Sequence, residues 1–268
     1  MNLNDNKQNE LVMDWNNNPV ISAKSKGGVI VLVNPFQNLI STGISPWPPS
    51  EIVQKLYRSR QIRAFSSAES NLITSKLGYY CDLQSIHSED AITWSVFGTL
   101  SRSNIQVRSE WLGSLLKAIS LPGIECNQVD ISLWRRIPHP DNLAFGGPEI
   151  DVIISTENAV LLVEAKWLSQ TGLNQGKARD KDQIQLRGEF LQKLGYKFYP
   201  KAEYLVVVGI SLKTGSIIDS TPDGVLFREA TWGDVCGIVD HPFYDEIQRY
   251  YQWKRKYSRA KHLDSVHQ

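Results

Sequence analysis

Cysteine is scarce in this sequence: Cys81, Cys126 and Cys236 are widely spaced and odd in number. No CxxC pair and no Cys/His cluster occurs, which argues against zinc and fits a reducing, cytoplasmic setting. No stretch approaches the roughly 18 apolar residues that a membrane span needs. The opening MNLNDNKQNELV lacks the apolar core of a secretory leader, so no membrane partner is expected. An excess of charge is missing too, because 29 Lys and Arg stand against 28 Asp and Glu. That balance speaks against a protein that coats nucleic acid non-specifically, but leaves room for charge concentrated around one acidic site. What is present is ample core material, with 41% hydrophobic residues and 8 Trp among 268. One main domain with an added segment is the natural expectation.

The organising stretch is Pro148–Trp167, PEIDVIISTENAVLLVEAKW. Two apolar runs, 150–154 and 159–163, flank the turn-like STEN. Val and Ile bounded by Ser, Thr and Asn predict two paired strands with a short turn. In an antiparallel pair the start of one strand lies beside the end of the other, so Asp151 and Glu164 could meet. Alternation puts Glu164 and Lys166 on one face with Ala165 turned away. Two carboxylates close together repel unless a cation neutralises them. Hard oxygen donors without His or Cys suit Mg2+, or Mn2+ as a substitute. The bland alternative is a strand end carrying solvated charges. Glu149 lies two residues before Asp151 and shares its face.

Elsewhere the chain alternates helices and strands. Residues 1–27, rich in Asn, Lys and Asp, are expected to be mobile at the start, and 28–33 reads as a strand. Ser50-Glu51 opens a helix that runs into Arg58, Arg60 and Arg63. This basic cluster is either a dipole-complementing helix end or a phosphate-contacting patch. Ser88 caps SEDAITWSVFGTL, whose inward stripe starts at Glu89. Glu89 either serves the helix dipole or delivers an acid to the sheet's metal. A helix over 109–120, an amphipathic strand over 129–134 and a Pro/Gly-rich loop over 137–147 follow. The polar link 168–181 carries Lys177 and Arg179 and reads as a phosphate-gripping loop or a solvated linker. In the helix over 182–194, Gln183 and Arg187 fall inside the apolar arc, one turn apart, whereas Gln185 lies opposite. A polar group on a buried stripe needs a partner. Strands over 202–211 and 225–227, a short helix capped at Thr231, and an aromatic, basic helix over 241–262 complete the chain. That last helix could lie along DNA or cover the sheet.

Asp151 followed by Glu164-Ala165-Lys166 resembles the PD-(D/E)XK nuclease superfamily, over about residues 86–235. The resemblance implies an α/β fold with a restriction-endonuclease-like core (α-β-β-β-α-β), a mixed central sheet flanked by helices, and an N-terminal extension. The implied division is 1–85, 86–240 and 241–268. It further implies a Mg2+-dependent endonuclease that hydrolyses phosphodiester bonds of DNA. In that reading Asp151, Glu164, the Ala165 carbonyl and Glu89 serve the metal, while Lys166 and Gln183 complete the catalytic set. Arg187 orients the site and joins Lys177, Arg179, Arg58 and Arg60 as nucleic-acid contacts. Family analogy favours bacterial defence. RNA as substrate, and a catalytically silent binding or scaffold module, stay open as alternatives. Cutting both strands often needs two sites, which a homodimer or a partner protein would supply.

Overall fold

The structure, a computed structural model, describes residues 10–24, 28–32, 34–58, 82–141, 147–169 and 181–258. The chain forms two compact units, Met1–Ser95 with Glu246–Gln268, and Val96–Asp245. Compared with the sequence-based division, the last helix groups with the N-terminal part, and one boundary falls inside the helical run that begins at Glu89.

The first unit opens with an antiparallel sheet, β1 (Glu10–Met13), β2 (Pro19–Lys24) and β3 (Ile30–Leu32), in that order. The start of the chain, expected to be mobile, lies outside the described residues, and residues 10–24 form a hairpin that the sequence reading did not assign. Its turn is held by Asp14, whose Oδ1 accepts from the amides of Asn16 and Asn18, both at 2.8 Å. Asn17 takes the left-handed φ of 61°, which asparagine tolerates better than most residues. α1 (Ser50–Arg58) follows. α2 (Glu89–Thr93) starts where the sequence placed it, with the Ser88 hydroxyl accepting from Ala91 N–H at 3.0 Å. Asp90 pairs with Lys55 at 3.0 Å.

The second unit is a mixed α/β arrangement around a five-stranded mixed sheet. Trp94–Gly98 widens into a π-helical turn and α3 (Thr99–Ser101) follows. α4 (Ile105–Ala118) begins earlier than expected because the Asn104 side chain caps it, accepting from Val107 N–H. The sheet runs β4 (Asp130–Arg136), β5 (Glu149–Ser155), β6 (Ala159–Ala165), β7 (Tyr204–Ser211) and β8 (Leu226–Thr231) in spatial order. β4, β5 and β6 pair antiparallel; β6, β7 and β8 pair parallel. α5 (Gln183–Phe198) makes the crossover from β6 to β7 that a parallel pair requires. Its Ile184, Phe190, Leu191 and Leu194 pack with Ile153, Val160, Leu162 and Val207 of the sheet. Every residue of β6 is buried, and each such Val or Leu stabilises the fold by about 2 kcal/mol. α6 (Trp232–Cys236) opens on a capping box between Thr231 and Asp234.

α7 (Tyr244–Tyr257) returns the chain to the first unit. Tyr250 Oη donates to the Asn38 carbonyl at 3.0 Å and Trp253 Nε1 to the Met13 carbonyl at 2.8 Å. Most of the aromatic surface that suggested contact with DNA is thereby interior. Lys254 is fully buried and donates from Nζ to the Ile86 carbonyl at 2.7 Å. Among the described residues no helix is long and apolar enough to cross a membrane.

Burial holds the Lys254 amine well below its usual range, with the charge of Glu89 acting the other way. The unfolded chain then binds more protons than the folded one between the lowered value and 10.5. Stability owed to this residue should therefore rise as pH climbs from the lowered value towards the ordinary one. In Lys254→Met that slope should vanish, and the orphaned Ile86 carbonyl should cost roughly 1–3 kcal/mol. Urea unfolding of both proteins at neutral and alkaline pH checks this; a difference that does not change with pH would contradict it.

Candidate active site

β5 and β6 are paired as Val152↔Val163 and Ile153↔Leu162, which sets Asp151 opposite Glu164 one step further along. Val160, Leu162 and Glu164 share one face of β6 by alternation, and this is the face that α5 covers. The charged end of the hairpin thus runs into the first half of α5, at the carboxyl end of β6, where open α/β sheets commonly place ligands.

Glu164 is 1% exposed. Its Oε1 accepts from Lys166 Nζ at 2.6 Å, and Arg187 Nη2 lies 2.7 Å from its Oε2. The guanidinium is not aligned for a hydrogen bond to Oε2, which stays buried without one. The attraction there is Coulombic. Arg187 is 3% exposed and donates from Nη2 to the Glu149 carbonyl at 2.8 Å. Arg187 thus lies inside the site on Glu164, as its place in the apolar arc requires. Its expected second role, as a nucleic-acid contact, belongs to a group with almost no surface.

Asp151 spends one oxygen on the backbone: Oδ2 accepts from Ala165 N–H at 2.9 Å. The next amide, Lys166 N–H, donates the other way, to the Ile210 carbonyl at 2.7 Å. Ala165 therefore turns its backbone towards Asp151. Gln183 is half-buried at the first position of α5, one turn before Arg187. Asp182 caps that turn, accepting from Gln185 N–H and from the Ser220 hydroxyl, each at 2.8 Å. Glu149 lies at the rim, with Arg136 Nε 3.9 Å away.

Glu89 belongs to the first unit and is half-buried in the first turn of α2. Lys177, Arg179 and Arg60, together with the Arg58 side chain, lie outside the described residues. Among the described residues no group of three or more His, Cys, Asp or Glu is placed to hold a metal.

Three features escaped sequence reasoning. On β4, between the pairs Leu133↔Val152 and Arg135↔Ile150, Trp134, across from Asp151, takes a φ of 54°. A bulky residue in that region is strained by roughly 1–3 kcal/mol, and such strain collects at functional sites. Nothing in the residue order DISLWRR signals it. The second feature is Trp232, whose indole N–H donates to the Lys166 carbonyl at 2.9 Å and pins the residue after β6.

The third is an ion network on α5. Lys181 bridges Asp141 and Glu189 at 3.3 and 2.6 Å, and Lys193 reaches both at 3.2 Å. Desolvation pushes the Asp141 and Glu189 carboxyls up, but the hydrogen bonds from the two lysines prevail and hold both below their ordinary values. Lys181 is raised, chiefly by its hydrogen bond to Glu189.

Removing one partner of a buried ion pair leaves the other charge uncompensated. Arg187→Met should lower stability by roughly 3 kcal/mol, and adding Glu164→Gln should recover part of it; strictly additive losses in urea unfolding would refute the pairing. For the network, the lowered carboxyls add stability that is whole above their ordinary values of 3.8 and 4.5 and is lost as pH falls through the lowered ones. Glu189→Gln should cost at most about 1 kcal/mol near neutrality, since the groups are partly solvated. The gap from the unmutated protein should close on acidification.

The chain matches no protein-family model, no curated protein and no solved structure, so its chemistry has to be read from this geometry.

Proposed function

We propose that the second unit is a restriction-endonuclease-like nuclease core and that the chain hydrolyses phosphodiester bonds of DNA with the help of a divalent cation. The observation that carries this reading is the buried Glu164 carboxylate, opposite Asp151, with one oxygen on Lys166 and the other against Arg187. The order α–β–β–β–α–β, with the acids at the hairpin end, supports it.

The donor set fits a hard cation. The Glu164 carboxylate and a second carboxylate, Asp151, across the ladder are oxygen donors of the kind Mg2+ and Mn2+ prefer, and a bound ion would compete with Lys166 and Arg187 for Glu164. Asp151, Glu164 and the Ala165 carbonyl would hold the ion. Such an ion, when bound, makes water nucleophilic near neutral pH and offsets phosphate charge. Lys166 supplies donors that can hold the attacking water and steady negative charge developing on the phosphoryl oxygens. Arg187 fixes Glu164 between strand and helix, so the carboxylate need not reorganise during the reaction. Gln183, at the open end of α5, orients the site with it.

The scarcity of clustered acids among the described residues favours a second reading, a module that keeps the fold to bind nucleic acid without cutting it. Incubation with supercoiled, linear and single-stranded DNA, and with RNA, in Mg2+ or Mn2+ separates the two. Cleavage is expected with DNA, abolished by chelation and reduced at least about 100-fold in Glu164→Ala and Lys166→Ala. Retained strand binding in Lys166→Ala would show that the loss is chemical. Cleavage that survives both substitutions would falsify the assignment. No cleavage of any substrate, with binding retained, would favour the silent module.

A further inference from the structure

The first unit contains a cavity of about 490 Å³ between the β1–β2 turn and one face of α7. This lies within the roughly 300–1,000 Å³ of small-ligand sites. Its walls are of three kinds. Tyr257 supplies a half-buried aromatic ring, backed by the small exposed parts of the buried Trp15 and Trp253. Two of these rings are themselves fixed: Trp253 by its bond to the Met13 carbonyl, and Trp15 edge-on against Tyr250 at 6.2 Å. Arg249 and Lys256 supply positive charge, and neither is ion-paired among the described residues. Asn17 and Gln252 supply amides. Arg249, Gln252, Trp253 and Lys256 recur at three and four residues, so they share one face of the helix.

The one acid in the lining is Asp14. Its carboxylate is held in the turn by the amides of Asn16 and Asn18, and with Arg249 and Lys256 against this one acid the lining carries a net positive charge. An aromatic wall takes the face of any nucleobase, amides pair with base edges, and cations at the mouth meet phosphate. We infer that this cavity binds an unpaired nucleotide of a nucleic-acid strand, stacked against the aromatic wall with its phosphates towards Arg249 and Lys256. The proposal goes beyond the nuclease reading and does not depend on it. It would give the chain a hold on single-stranded or frayed substrate in a unit that carries neither Asp151 nor Glu164.

The test is binding of the full chain, in chelator, to a labelled short single strand, to an abasic strand of the same length and to a duplex. The base-bearing strand should bind most tightly. Arg249→Ala/Lys256→Ala alters exposed side chains and should weaken it about tenfold, with a shallower salt dependence, while the unfolding curve stays in place. Tyr257→Ala should erase the preference over the abasic strand. Equal binding of the abasic strand, or unchanged affinity in the double variant, would overturn the proposal. So would self-association that the double variant abolishes without touching strand binding, which would assign the face to a second copy. Because no metal is present, the outcome is independent of whether the protein cuts.

Discussion

Glu164 sits at 1% exposure on the innermost strand of a five-stranded sheet. A carboxylate taken that far from water loses several kcal/mol of hydration, which only well-placed positive charge can offset. The surrounding structure is arranged to provide it. Lys166 reaches back from two residues beyond, which the strand's alternation allows. Arg187 reaches down from the helix that the parallel β6–β7 crossover lays over this face. Replace the crossover by a tight turn and there would be no helix to carry the guanidinium. The topology of the sheet and the charge in its centre are therefore parts of one solution.

The other side of the hairpin is organised by the backbone. Asp151 takes the amide of Ala165, so the last rung of the β5–β6 ladder is closed by a side chain. Across from Asp151 on its other side, Trp134 takes a left-handed φ of 54°. A carboxylate placed between a strained residue and a side-chain rung is no longer part of a regular sheet surface.

How much of this could be read from residue order depends on range. The hairpin was legible because Val and Ile run unbroken on either side of STEN. α5 was legible because its apolar residues recur at helical spacing, and that spacing also put Arg187 on the inward side. The caps at Ser88 and Thr231 rest on local chemistry that survives folding. By contrast, β1 and β2 are short and flank DWNNN, so their polar turn disguised a hairpin as loose chain. The positive φ at Trp134 is not signalled by the residue type, since tryptophan ordinarily avoids that region. The Lys181–Asp141–Glu189–Lys193 network joins positions that only the packed helix brings together. The grouping of α7 with the N-terminal sheet depends on bonds spanning most of the chain, which no local pattern announces.

That last grouping has a consequence for the order in which the molecule takes shape. The charged cluster of the second unit is drawn from one stretch, from Asp151 to Arg187. The first unit is tied together by bonds between residues 168, 212 and 240 positions apart. Closing such loops costs more chain entropy, and contacts this distant in sequence form late. On a ribosome the sheet with its acidic end can be complete while the N-terminal hairpin still waits for the helix that ends at Tyr257. During that interval the buried seats of Tyr250, Trp253 and Lys254 are open to water and to other chains.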